Sequence, residues 1–313
     1  MKNLKFTDSD RDYYLKGIRK LREFLSLVAS ITPDIEDYIK VSFPRLIGIL
    51  PCLKNEVCFG NPFERIVVNK RVANKNTRLK AYKQIKYPPE EVLEKITYNR
   101  ANLPKQSVFY AAYGSLTAAL ESKPEKGDLF TYSLWKQKQD TSIWYVPIFY
   151  KKLIVESTTE FFEDWKMYQK YLESLEKNVS IVVREVCDFI ATVFTTKVDP
   201  NNKVEYLFSA IISDIYLNDP AHNVDCIYYP SVAGDFVASN IAIKPKVLEN
   251  SFEIKEINES FCIRSELGKQ WGSYRTAKAI NINPKNDLIE WQTETIYDSS
   301  VCDLLNHYKV TFE

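Results

Sequence analysis

The spacing of apolar residues switches from helical to strand-like and back along this chain, and that succession limits the folds open to it. From Asp8 to about Ser30 the positions Tyr13, Tyr14, Leu15, Ile18, Leu21, Phe24, Leu25, Leu27 and Val28 recur at intervals of three and four, the mark of a helix with one buried face. Thr7 or Ser9 is placed to cap its start. A second amphipathic stretch begins at Ile35, with Pro44 and Pro51 limiting its helical length, because proline lacks the amide hydrogen that the helix needs. These stretches predict a helical N-terminal attachment, residues 1–60, that packs on a core or offers a docking surface.

Strand signals follow. Phe63 to Asn69 is short and β-branched, and Lys70 to Lys86 is basic with few apolar residues. The basic stretch is expected to be a loop, either solvated or attracting phosphate. Ser107 to Ala112 suits a buried strand, Ser115 to Glu121 a helix capped by Ser115, and Leu129 to Trp135 and Ser142 to Phe149 further strands. Helical spacing returns after Ser157-Thr-Thr-Glu160, a capping-box pattern, and continues over Ile181 to Phe194 and Val204 to Leu217. From Asp225 onward the period is again that of strands, over Asp225 to Tyr229, Phe236 to Ile243, Ser251 to Asn258, Phe261 to Ser265, Ser273 to Ile282 and Leu288 to Thr295, with turns at Gly268 and Asn283-Pro284 between some of them. The sum is an α+β chain.

Composition narrows the function classes. The 313 residues are 45% hydrophobic and 27% charged, a globular balance rather than a disordered one. The 42 basic and 41 acidic side chains leave a net charge of +1, so no whole-chain field steers nucleic acid or an anionic membrane, although local patches stay open. Six scattered cysteines without a CxxC pair predict buried thiols. With no apolar run of about 18 residues and no apolar signal core, the expectation is a soluble, cytoplasmic protein. Two distant histidines, His222 and His307, lack metal-ligand spacing, so no metal site is expected. There is no GxGxxG, P-loop, HExxH or GxSxG. Cys226 near His222 suits a structural role, and for Glu160, Glu163 and Asp164 a helix-start role is sufficient.

Two segments carry the densest chemistry. Tyr98-Asn-Arg-Ala-Asn-Leu-Pro-Lys-Gln-Ser-Val-Phe-Tyr110 runs on through Ala-Ala-Tyr-Gly-Ser-Leu-Thr-Ala-Ala-Leu-Glu121. It sets an arginine before a short apolar strand, an aromatic in the strand and a carboxylate on the next helix. Ile227-Tyr-Tyr-Pro-Ser-Val-Ala-Gly-Asp-Phe-Val-Ala-Ser-Asn240 adds a serine after Tyr-Pro and an asparagine entering another apolar stretch. Arginine, glutamate and serine in this order resemble the RES domain family, over roughly Phe63 to Leu248. The resemblance implies an ADP-ribosyltransferase-like twisted sheet core, residues 61–250, with the helical N-terminal attachment, inserted helices and a strand-rich C-terminal extension, residues 251–313. It matches Arg65 to the family's strand-borne arginine, Arg100 to its second arginine, Tyr110 to its tyrosine, Glu121 to its glutamate and Ser231 to its serine. Asn99 stands where the family commonly has glycine and Ala101 where it has an aromatic; asparagine tolerates unusual backbone angles, so the turn is expected to survive.

The resemblance also implies NAD as a substrate rather than a cofactor, broken at the nicotinamide–ribose bond by phosphate or water. In many relatives the enzyme is the toxin of a toxin–antitoxin pair, with a small helical antitoxin as its partner. Transfer of ADP-ribose to a macromolecule and a catalytically silent NAD-binding module are the alternatives. Such chemistry asks for these side-chain types. Guanidinium groups match pyrophosphate oxygens with paired hydrogen bonds, the task of Arg65 and Arg100. A carboxylate beside C1′ stabilises oxocarbenium-like charge, the task of Glu121. Tyr110 would stack on nicotinamide or ribose, Ser231 would bond the ribose or the carboxamide, and Asn240 would hold the Ser231 loop or bond the ligand. Nicotinamide leaves neutral, so neither metal nor strong acid is required.

Overall fold

The computed structural model describes residues 4–149, 161–199, 201–266 and 270–312. In chain order its first elements are α1 (Asp8–Leu27), α2 (Pro33–Ile47), β1 (Asn55–Val57), β2 (Phe63–Val68), α3 (Asn69–Ala73), β3 (Phe109–Ala112), α4 (Ser115–Ser122), β4 (Leu129–Gln137) and β5 (Ile143–Pro147). Then come α5 (Phe162–Glu173), α6 (Lys177–Thr195), α7 (Leu207–Asn218), β6 (Cys226–Pro230), β7 (Ser239–Ile243), α8 (Pro245–Ser251), β8 (Phe252–Glu266), β9 (Gln270–Asn283), β10 (Leu288–Thr293) and α9 (Ser299–His307). The chain is a mixed α+β protein of two compact units, one of residues 1–57, 94–106 and 143–237, the other of residues 58–93, 107–142 and 238–313. That division differs from the expected succession of attachment, core and extension. The N-terminal helices share a unit with the helical middle, and the C-terminal strands share one with β2 to β4.

In the first unit α1 starts where its sequence places it. Thr7 accepts from the Asp10 amide while the Asp10 carboxylate accepts from the Thr7 amide, a reciprocal capping box. α2 runs through Pro44 rather than stopping before it, because the proline lies in the last turn and the helix ends at Gly48 with φ 66°. The two helices bury Ile18, Leu21, Ile39, Phe43 and Ile47. They meet at Gly17, where a Cβ would fall 2.1 Å from the Leu46 carbonyl oxygen. β1 pairs antiparallel with β5, and β5 parallel with β6. α6 buries a broad face through Val179, Val182, Val183, Val186, Phe189 and Ile190, while Arg184 is exposed and Glu185 and Asp188 half-buried, the pattern of an amphipathic helix with a wide apolar stripe. The capping-box pattern at Ser157 to Glu160 lies outside the described residues.

In the second unit the strand order is β7-β3-β2-β4-β8-β9-β10, and each neighbouring pair is antiparallel. α4 covers one face, packing Ala118 and Ala119 on Ile66, Ala112, Phe130 and Cys262. The opposite face carries Val67, Leu79, Ile85, Ile257 and Ile289. Gly114, with φ 84°, and not Ser115, precedes the first turn of α4, since the chain leaves β3 through a backbone angle that favours glycine. β8 is one 15-residue strand where two were expected. The polar Glu259 inside it is buried, its carboxylate taking Arg78 Nη2 at 2.7 Å and Thr276 Oγ1 at 2.8 Å.

Arg78 belongs to the basic stretch expected to be a loop, and its neighbours are likewise engaged. Lys70 pairs with Glu125 and Asp128, Arg71 donates to the Ser122 and Lys123 carbonyls at the end of α4, Lys83 pairs with Glu91, and Lys86 with Glu249. Carboxylates and helix-end carbonyls of this unit thus take up much of the charge of the stretch, while Lys75 and Lys80 are exposed.

Candidate functional site

Four of the six candidate residues, Arg65, Tyr110, Glu121 and Asn240, belong to the second unit, and Arg100 and Ser231 to the first. In the second unit the register sets Glu64 of β2, Ala112 of β3 and Asn240 of β7 in one lateral row. Strand alternation puts Tyr110, two residues from Ala112, on the same face, the one that α4 covers. Glu121, near the end of α4, accepts a hydrogen bond from Asn240 Nδ2 at 2.6 Å. Glu121 is exposed and Asn240 only 5% exposed. A buried amide therefore orients a carboxylate that ligands can reach. The other end of that amide, Oδ1, is buried without a hydrogen-bond partner, a condition that costs about 1–3 kcal/mol.

Glu64, which the sequence reading passed over, belongs to this row. Its carboxyl is bonded by the Tyr132 phenol, and burial pushes it above the ordinary carboxylate range. Its Oε2 is a second buried acceptor without a partner. Burial first, then the neighbouring Glu64, pushes the Tyr132 phenol upward as well. The only sequence signal was a carboxylate inside an apolar strand, Phe-Glu-Arg-Ile-Val-Val. Beside Arg65 it passes for half of a surface charge pair until the strand's neighbours are known.

Arg65 projects to the opposite face of the sheet from Glu64. Its guanidinium donates to the Tyr110 carbonyl at 2.6 Å and the Ile85 carbonyl at 3.1 Å, and lies 5.2 Å from the Phe109 ring centre. Although the residue keeps some exposed area, close packing around the guanidinium pushes its pKa down to about 10. The β2–β3 register contains one pair, Glu64 with Ala112, and beyond it the arginine offers β3 a donor. Through Nε and Nη1 Arg65 thus ties strand to loop by main-chain oxygens.

Arg100, in the first unit, is also engaged by backbone. It donates to the Phe194 carbonyl at 2.7 Å, the Thr196 carbonyl at 3.2 Å and the Val193 carbonyl at 3.4 Å, and lies 5.0 Å from the Tyr206 ring centre. These carbonyls end α6 and lack intrahelical partners, and a cation there opposes the negative end of the helix dipole. Arg100 is a helix cap in this structure. Asn99 is not among the residues with positive φ; it exchanges main-chain hydrogen bonds with Asn102 at 3.2 and 3.4 Å, so no glycine-like angle is needed there. Ser231, fully buried after β6, accepts from the Gly234 amide at 3.1 Å through Oγ and from the Phe236 amide at 2.9 Å through its carbonyl. The resulting turn carries Asp235 and Phe236 at positive φ, which delays β7 to Ser239 instead of the expected Phe236.

Asp164 lies in the first turn of α5, at the helix start where the sequence places it, and makes further contacts. It is buried in the first unit, where its Oδ1 accepts from Asn55 Nδ2 at 2.6 Å and the Tyr145 hydroxyl at 2.9 Å, and burial pushes its pKa up to about 6. No group of three or more metal-ligating side chains occurs among the described residues, and no described helix is long and apolar enough to cross a membrane. No protein-family model and no curated protein matches this chain.

Proposed function

We propose that the α4-covered sheet face of the second unit is a riboside site and that the chain breaks NAD at the nicotinamide–ribose bond. The C1′–N bond breaks with its electron pair leaving on neutral nicotinamide, and an oxygen of phosphate or water bonds to C1′ and gives up its proton. What carries this reading is the clamp between Asn240 and Glu121. A carboxylate already oriented by a buried amide stabilises positive charge at C1′ without first reorganising. Tyr110 on the same face offers a ring for nicotinamide or ribose. The motif order resembling the RES domain, with its ADP-ribosyltransferase-like fold and its toxin role opposite a small helical antitoxin, supports the same reading. A silent NAD-binding module is the second reading, favoured by the engagement of Arg65 and Arg100 with main-chain carbonyls.

The test is nicotinamide release from labelled NAD with and without phosphate. Wild type is expected to release nicotinamide. Glu121→Gln keeps an oxygen for Asn240 but removes the charge, and is expected to slow release at least ~100-fold with an unchanged melting temperature. Undiminished release by Glu121→Gln would reject the site. Binding of NAD without release by wild type selects the silent module, and label on protein or nucleic acid selects transfer to a macromolecule.

A further inference from the structure

α1 and α2 form a helical hairpin in the first unit, and between them opens a cleft of about 750 Å³ lined by Tyr13, Lys16, Arg19, Lys20, Tyr38 and Arg45, with Gly17 and Leu46 also on its wall. Its charge is mostly positive, four cations against one carboxylate, Glu23. Lys20 is paired with Glu23 at 3.1 Å, but Lys16 and Arg19 have no ion-pair partner among the described residues, and Arg45 is partnered by the Tyr13 phenol. Three cations therefore face the cleft beyond the one carboxylate on its wall, Glu23, which is taken by Lys20. Two of its aromatics are unusually open, Tyr13 at 55% and Tyr38 at 59% exposure, although burying a tyrosine ring is ordinarily favourable.

We propose that this cleft binds a nucleotide, its phosphates on Lys16, Arg19 and Arg45 and its base against Tyr13 or Tyr38. Clustered cations hold phosphate oxygens, and exposed rings stack bases of any sequence. An acidic peptide would use the cations but has no flat base for the rings. A free nucleotide and a nucleic-acid strand share this chemistry; the volume suits a small ligand, since pockets for such ligands span about 300–1,000 Å³. The inference is independent of the NAD reading, whose residues lie elsewhere in the chain.

The experiment is fluorescence anisotropy of labelled ATP on the full chain, with unlabelled ATP, a short single-stranded RNA and a glutamate-rich peptide as competitors. Wild type and Glu121→Gln are expected to bind alike. The exposed triple variant Lys16→Glu, Arg19→Glu, Arg45→Glu is expected to bind at least about tenfold more weakly, with helical content unchanged by circular dichroism. Tyr38→Ala together with Tyr13→Ala, which leaves every charge in place, is expected to weaken binding too. Absence of binding by wild type, undiminished binding by either variant, or competition by the peptide equal to that by ATP would each overturn the proposal. Tighter competition by the RNA than by ATP would overturn the choice of a free nucleotide.

Discussion

Asp164 makes the first unit sensitive to pH through a single carboxyl. Burial raises its pKa from 3.8 to about 6, against the hydrogen bonds of Tyr145 and Asn55, which favour the anion. A carboxyl with a raised folded pKa holds its proton more tightly folded than unfolded, so its contribution is complete below about pH 4 and is lost as pH rises to about 6. The difference is at most roughly 3 kcal/mol. Asp164→Asn keeps Oδ1 for both donors and carries no charge. Melting temperatures from pH 4 to 8 are expected to lose this slope in the variant and to exceed wild type at pH 7; an unchanged slope would assign the titration to another group. Local sequence placed Asp164 at a helix start and nothing more, because its partners stand 109 and 19 positions away. Glu121 was legible as a carboxylate after a strand, whereas the amide that orients it lies 119 positions further on.

Helices with a broad apolar face were legible as elements, since burial of one stripe requires the three- and four-residue recurrence seen in α1 and α6. Short helices such as α3, α8 and α9 escaped, having too few turns to establish a period. β8 was expected as two strands parted at Glu259-Ser260, whereas the distant Arg78 and Thr276 make Glu259 tolerable in the interior. The contact at Gly17 yields a test at this scale. In an isolated helix, alanine is favoured over glycine by about 1 kcal/mol. Against the Leu46 carbonyl, a methyl forces the two helices apart. Gly17→Ala is therefore expected to lower stability by about 1–3 kcal/mol in urea denaturation, and a gain in stability would contradict the close packing of α1 on α2.

For the whole molecule, the alternation of apolar periods anticipated mixed α+β structure, and the cysteine pattern anticipated thiols of which three are buried, but neither anticipated the partition into units assembled from three separate segments each. Contacts between residues a hundred positions apart leave no local period to read. The thiols give a global check. Cys187, Cys226 and Cys262 are buried, Cys52 and Cys302 partly so, and Cys58 is exposed; burial also pushes Cys52 and Cys262 up to about 11. Thiolates are the reactive form, so a thiol-titrating reagent is expected to find one rapid site in native protein, abolished by Cys58→Ser, and six after denaturation. Several rapid sites would mean the interior is more open than described. Arg65, finally, grips oxygen atoms that every amino acid possesses, those of the main chain at Ile85 and Tyr110. The identity of side chain 110 is thereby decoupled from the strut behind it, and variation can retune one surface of the sheet while leaving its scaffold untouched.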